Sequence, residues 1–298
     1  MEKSIVFIDL EIGQDNKICD IGAVRGDGAI LHTKAVKELR EFVAGSKYVC
    51  GHNIIRHDLL YLNDFFDDDI MPIDTLLLSP LLFPQKPYHS LVKNDKIVSD
   101  DLNNPVNDCK QARTLFYDEI NAFNSLDSNL KTIYFGLLGK TKDFNGFFKY
   151  LGFNGICVNL EKLIRHEFEG LICANSDVQN YIKMHPIDLA YELALIGTKD
   201  PYSISPGWIN YEFSMIENIL HYLTNKPCNK GCPYCNDKLD IHKALSRIFG
   251  FDSFRIYDGE PLQEKAVKAA VEGKSLLAVF PTGGGKSLTF QLPALIAG

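Results

Sequence analysis

Asp9 and Glu11 stand two residues apart at the end of the apolar run Ile5 to Ile8. In a strand, positions two apart share a face. Two carboxylates side by side repel each other unless a cation lies between them. Alone, an Asp-x-Glu pair is also what an ordinary acidic surface provides. A second cluster, Cys228-x₃-Cys232-x₂-Cys235, lies in Lys-Pro-Cys-Asn-Lys-Gly-Cys-Pro-Tyr-Cys-Asn. Three thiolates with Gly and Pro between them suit the tight turn of a zinc knuckle, with His221 or His242 as the fourth ligand of Zn²⁺. A cluster without metal is the alternative. A third group is the loop Pro281-Thr282-Gly283-Gly284-Gly285-Lys286-Ser287. Its glycines let backbone N–H groups turn towards a phosphate, the Lys286 ammonium can reach the outer phosphates of a nucleotide, and the Ser287 hydroxyl can bind Mg²⁺. The strict form of such a loop has Gly six before the Lys, where Phe280 stands here. A glycine-rich run can also be a plain structural turn, but a position between strand and helix favours phosphate.

These groups need elements to position them. Ile5 to Ile8 reads as a buried first strand. The turn Gly13-Gln14-Asp15-Asn16 leads to a second strand from Ile18 to Val24, and Gly26-Asp27-Gly28 to a third from Ala29 to His32. Val36 to Val43 has helical spacing, and Tyr48-Val49-Cys50 is a short strand. Gly51-His52-Asn53 opens a helix carrying Asp58. Cys109 to Phe123 is a helix with Ala112, Leu115, Phe116 and Ile120 on one face. Antiparallel hairpins followed by helices imply a mixed sheet with helices packed on it. Beyond Asn124 the pattern becomes helical, with helices at Leu160 to Phe168, Val178 to Met184, Ile187 to Ile196 and Asp240 to Phe249. Pro201 to Pro206 reads as a linker. Ser275 to Phe280 reads as a strand leading into the glycine-rich loop.

The order Asp9-x-Glu11, then Gly51-His52-Asn53 with Asp58, then Asp74-Thr75-Leu76, then Asp108 at the start of a late helix resembles the DnaQ-like, or DEDD, exonuclease family. The resemblance covers roughly the first 125 residues. It implies an RNase H-like α/β fold and a 3′–5′ exonuclease site built from Asp9, Glu11, Asp58 and Asp108. It also implies two Mg²⁺ or Mn²⁺ ions, hard cations that prefer oxygen ligands. In the family pattern Asp9 bridges both ions, Glu11 and Asp108 complete the first, and Asp58 acts through water. One departure stands out. The family's catalytic His lies five residues before the last Asp, where this sequence has Asn103; its Tyr form lies four before, where Asn104 stands. An Asn amide cannot take a proton at neutral pH. His52, His57 and His89 are the other imidazoles near these motifs.

The spacing of the three cysteines also occurs in iron–sulfur enzymes of the radical-SAM family. Their motif follows the first strand of a barrel, whereas this one sits between helices. Further on, Pro-Thr-Gly-Gly-Gly-Lys-Ser followed by Leu-Thr-Phe-Gln-Leu-Pro-Ala-Leu resembles motif I of the RecQ helicases. Phe249-Gly250-Phe251 and Phe254-Arg255 resemble their opening segment. That resemblance covers about the last 50 residues. It implies ATP on Thr282, Gly283, Gly284, Gly285, Lys286 and Ser287, with Gln263 reading the adenine. The usual distance from Phe-Arg to this Gln is shorter, so Ile256 to Leu262 holds an insertion. The acid box and second lobe of such a motor have no counterpart here, so the sequence reads as the front of a longer exonuclease–helicase polypeptide.

The expected division is therefore an exonuclease domain over 1–124, a mostly helical region over 125–224, a cysteine-rich knuckle over 225–250, and the start of a RecA-like helicase lobe over 251–298. The expected partners are DNA with a single-stranded 3′ end and ATP. The 298 residues carry a formal net charge of −7 and 46% hydrophobic residues, the composition of a globular chain. No apolar run approaches the roughly 20 residues of a membrane helix, and the N-terminus lacks the features of a signal peptide. A cytoplasmic location and no membrane partner are expected. Eight cysteines in such a chain argue for free thiols or metal ligands and against disulfides.

Overall fold

The computed structural model describes residues 4–62, 65–66, 69–91, 104–198, 203–228 and 230–297. The chain forms two compact units, one of residues 1–160 with 203–206, the other of 161–202 with 207–298. No helix among the described residues is long and apolar enough to cross a membrane.

The first unit is built on a five-stranded sheet. Its strands are β1 (Ile5–Ile12), β2 (Ile18–Arg25), β3 (Ile30–Thr33), β4 (Tyr48–Gly51) and β5 (Met71–Asp74), in the order β3-β2-β1-β4-β5. β2 lies antiparallel to β1 and β3, while β1, β4 and β5 run parallel. The central strand β1 is buried on both faces, and its period of two sorts its side chains. Val6, Ile8 and Leu10 join a core with Ile21, Leu39, Val49 and Ile54. Phe7 turns to the other face, where its ring meets Phe116 edge-on at 5.7 Å. Asp9 and Glu11 alternate in step with Phe7 and share that face.

Around the sheet lie α1 (Val36–Val43), α2 (Asp58–Tyr61), α3 (Thr75–Leu82) and the 21-residue α4 (Pro105–Ser125). α1 follows its predicted span, with Leu39 and Val43 buried. α4 begins four residues earlier than the sequence reading, because Asn104 caps it by accepting the Val106 N–H and Pro105 fits the first helical position, where no N–H is needed. Asp108 thus lies in its first turn. The compact unit continues past the expected boundary at 124. Two further helices follow, α5 (Ser128–Leu138) and α6 (Asn145–Leu151); Phe147 of α6 meets Phe116 and Phe123 of α4, and Phe135 of α5 meets Phe148 of α6. Phe123 makes edge-on contacts with Phe147, Phe148 and Phe153 at 5.3–5.7 Å. This aromatic cluster needs α4 as its other half, so the helices cannot separate from the sheet domain without exposing it.

The second unit is helical: α7 (Leu160–Glu167), α8 (Val178–Met184), α9 (Pro186–Gly197), α10 (Gly207–Glu212), α11 (Ile216–Leu220), a π-helical turn (His221–Asn225), α12 (Pro233–Lys238), α13 (Ile241–Phe249), α14 (Leu262–Val271) and α15 (Leu288–Ala297). Asp240 caps α13 through the N–H groups of His242 and Lys243. Ala244, Leu245, Phe254, Val267, Leu288 and Leu292 form its core. The strand predicted over Ser275 to Phe280 is absent, and Leu277 and Val279 are more than four-fifths exposed. A strand exists only through its ladder of hydrogen bonds to a neighbour. The described residues of this unit provide no such neighbour.

Candidate metal and phosphate sites

Asp9, Glu11 and Asp108 converge. Ligand oxygens of the three carboxylates lie within 4.8 Å of one another, and all three side chains are half-buried. β1 presents the first two on the face towards α4. The third arrives because the N-terminus of α4 lies directly on β2. A Cβ added to Gly22, the residue opposite Asp9 across the β1–β2 ladder, would stand 2.3 Å from the Pro105 carbonyl carbon and 2.5 Å from the Val106 nitrogen. Backbone atoms at that distance can yield only if the helix moves. Three carboxylates at this spacing suit a hard divalent cation such as Mg²⁺ or Mn²⁺. Gly22→Ala is expected to lift α4 and carry Asp108 away from Asp9, weakening Mn²⁺ binding at least about tenfold while costing about 1–3 kcal/mol of stability, the usual range for overpacking. Calorimetry and thermal melting of the folded variant check this; wild-type Mn²⁺ affinity would show that the close approach does not set the acid cluster.

Asp58 is not part of this trio. It is buried, and its Oδ1 accepts the N–H of Leu10 at 2.7 Å. It therefore pins the strand between Asp9 and Glu11. Its other oxygen lies 3.6 Å from Nδ1 of His57, and the Asp58 carboxylate raises that imidazole above its ordinary 6.5. The two other histidines near the motifs behave differently. His52 bonds Thr75 Oγ1 through Nδ1 at 3.0 Å, and His89 bonds Ser79 Oγ at 2.9 Å. Burial lowers each to about 4. Asn103 lies outside the described residues.

The sequence reading missed the part played by Asp74. This buried carboxylate accepts the N–H groups of Asn53 and Leu76 on Oδ1, each at 2.9 Å, and that of Ile55 on Oδ2 at 3.0 Å. It holds the turn in which Asn53 adopts a left-handed φ of 67°, the turn that leads into α2 and Asp58. Its signal was an acid at the end of a short apolar strand and directly before a helix, the pattern of an N-cap.

The cysteine cluster has four members. Sγ atoms of Cys173, Cys228, Cys232 and Cys235 lie within 4.8 Å of one another. The histidines expected as fourth ligand are placed elsewhere. His242 Nε2 lies 3.0 Å from Glu264 Oε1, and the His221 ring packs edge-on against Tyr222. Cys173, in the loop between α7 and α8, is the fourth side chain that joins the three cysteines. Short-range spacing cannot reveal a ligand so far upstream; the remaining cysteines of the sequence were the only pointer.

The glycine-rich loop runs straight into α15, whose first turn follows Lys286 and Ser287, both exposed. Gly283 and Gly285 adopt φ of 78° and 70°, values that cost a residue with a Cβ. The predicted insertion before Gln263 is a tight hairpin. Tyr257 and Glu260 exchange backbone hydrogen bonds of 2.9 and 2.8 Å around Asp258-Gly259, both at positive φ, as an Asp-Gly two-residue turn requires. Looping these residues out returns Gln263 to Arg255. Gln263 Oε1 accepts the Arg255 N–H at 2.9 Å, and its Nε2 donates to the Gly285 carbonyl at 3.0 Å. The Arg255 guanidinium donates to the Gly283 carbonyl at 2.7 Å, and the Tyr257 hydroxyl to that of Gly284. The amide expected to read adenine is thus engaged in bracing the loop, and a base contact requires these bonds to exchange. Beside the loop is a cavity of about 580 Å³ lined by Phe249, Phe251, Arg255, Gln263, Ser287 and Gln291, among others, within the size range of small-ligand sites.

Residues 260–297 match the DEAD/DEAH box helicase family, and this C-terminal segment is similar to RecQ-type helicases. Over 58 residues the chain is 48% identical to ATP-dependent DNA helicase Q5 of Rattus norvegicus, covering 19% of this chain and 6% of that protein. It is 43% identical over 60 residues to ATP-dependent DNA helicase RecQ of Synechocystis sp., covering 20% and 12%. It is 36% identical over 104 residues to ATP-dependent DNA helicase Q-like 4B of Arabidopsis thaliana, covering 33% and 8%. The chain thus spans between 6% and 12% of these curated relatives. No solved structure matches it.

Proposed function

We propose that the protein processes DNA, its first unit as a DnaQ-type 3′–5′ exonuclease and its C-terminal segment as the ATP-binding start of a RecQ-like helicase motor. The observation that carries the exonuclease reading is the convergence of Asp9, Glu11 and Asp108 from a central strand and a helix start. The strand order β3-β2-β1-β4-β5, with β2 reversed, supports an RNase H-like sheet. Asp9, Glu11 and Asp108 would hold two Mg²⁺ or Mn²⁺ ions, which supply an activated water and neutralise charge on both the attacking and the leaving oxygen of a phosphodiester. Asp58 keeps the tip of β1 in register by holding the Leu10 N–H. His57, which is half-exposed and beside Asp58, is our candidate to take the proton of the attacking water. A general base works best with a pKa near the working pH, and its value lies above 6.5 while His52 and His89 lie near 4. Bound cations would pull it back towards neutrality.

At the other end, the likeness to ATP-dependent DNA helicases supports a site in which the N–H groups of Thr282 to Gly285 would hold nucleotide phosphates, Lys286 would reach the outer phosphates and Ser287 would bind Mg²⁺. The helix dipole of α15 would add to the attraction. The cavity at Phe249, Arg255 and Gln263 would receive the base. A second reading comes from Asn103 at the position of the family's catalytic His: a fold that holds a DNA strand without cutting it. Incubation of the protein with 5′-labelled single-stranded DNA and Mg²⁺ or Mn²⁺ separates the two. The exonuclease predicts a ladder shortening from the 3′ end. DNA that is bound but stays intact makes the first unit a DNA-holding module.

A further inference from the structure

We propose that Cys173, Cys228, Cys232 and Cys235 form a closed tetrahedral zinc site that fastens the helical segment of the second unit to the segment carrying the glycine-rich loop. This site is independent of the exonuclease reading.

Its geometry fits a single ion. Four sulfurs each about 2.3 Å from zinc at tetrahedral corners stand about 3.8 Å apart. The Sγ atoms of Cys173 and Cys232 are 3.9 Å apart, and all four fall within 4.8 Å. A disulfide needs about 2.05 Å, and all four thiols are free.

Backbone and side-chain donors are aimed at the sulfurs. Cys173 Sγ accepts the Asn175 N–H at 3.4 Å, Cys228 Sγ accepts the Asn175 side-chain amide at 3.2 Å, and Cys232 Sγ accepts the Cys235 N–H at 3.4 Å. A neutral thiol is a weak acceptor; an array of N–H donors is what holds and tunes metal-bound thiolates. Gly231, at a φ of 66°, makes the turn that folds Cys228 back on Cys232. Cys173, Cys232 and Cys235 are buried. Four protein ligands and this burial leave no coordination position for a substrate, the mark of a structural site.

Its mechanical role follows from what surrounds it. Leu239, Tyr234 and Ile296 pack against the cysteines, and Ile296 also packs on the core of α13, α14 and α15. Ile296 lies in α15, the helix that the loop feeds. The ion would therefore cross-link the α7–α8 loop to the knuckle and buttress the far end of the phosphate-loop helix.

Metal analysis of the full chain, purified without added metal, is expected to find about one zinc per chain, as a single four-ligand site requires. Cys173→Ser should lose most of that zinc, while His221→Ala and His242→Ala keep it. Should Cys173→Ser fail to fold, cobalt exchanged into the wild type gives the answer. A tetrathiolate site shows the absorption of tetrahedral Co²⁺ with strong sulfur charge-transfer bands. Full zinc retention in folded Cys173→Ser would overturn the assignment. So would a cobalt spectrum with nitrogen ligation, iron in place of zinc, or disulfides between these cysteines.

Discussion

Asp9→Ala is expected to lower Mg²⁺-dependent digestion of single-stranded DNA by roughly three powers of ten or more. Asp9 would be one of the carboxylates holding the ions in the proposed site, so its loss would remove metal electrostatics worth several kcal/mol of transition-state stabilisation, and each 1.36 kcal/mol is about tenfold in rate. The fold should survive. Asp9 is only half-buried, and removing one of three crowded carboxylates relieves repulsion in the metal-free protein. Rates measured beside a melting curve separate the two effects. A variant that cuts as fast as the wild type would remove Asp9 from the chemistry.

Asp74→Ala is expected to damage the fold itself. Three backbone N–H groups lose their acceptor, and a buried donor without a partner costs about 1–3 kcal/mol. Taking the low end for groups that water can partly reach, the first unit should lose about 3 kcal/mol. The turn at Asn53 would loosen, and with it Asp58. Asp74→Asn keeps one acceptor oxygen and should cost less. Burial raises the Asp74 carboxyl from 3.8 to about 6. Between those values the native protein holds more protons than the unfolded chain, so this group's contribution to stability is full below 3.8 and falls as pH rises through 6. The deficit of Asp74→Asn relative to wild type should therefore be larger at pH 5 than at pH 7.5. Denaturant titrations at both values check the sign; a deficit that grows with pH would contradict it.

The first unit was largely legible because its signals are local. Alternation in β1 and β2, the amphipathic spacing of α1 and the capped start of α4 each reside in a few neighbouring residues. The convergence of Asp9 and Glu11 with Asp108 followed from motif order, but the device that produces it, helix backbone resting on Gly22, did not. A glycine in a strand does not announce what approaches it. The aromatic cluster that adds α5 and α6 to the sheet domain is a tertiary fact, since Phe123, Phe147, Phe148 and Phe153 each look like ordinary core residues. Cys173 was invisible for the same reason: a cysteine brought to the cluster from a distant loop has no spacing to read. At Ser275 to Phe280 the error ran the other way. Residues with strand propensity form a strand only where another strand accepts them, and propensity carries no information about the neighbour.

Mn²⁺ calorimetry tests most directly whether Asp9, Glu11 and Asp108 form a metal site. Wild-type protein, stripped of metal and kept folded, is expected to bind two Mn²⁺ ions, and Asp9→Ala and Asp108→Ala are each expected to abolish or strongly weaken that binding without altering the far-ultraviolet spectrum. Mn²⁺ binding that is unchanged in both variants would contradict a metal site there.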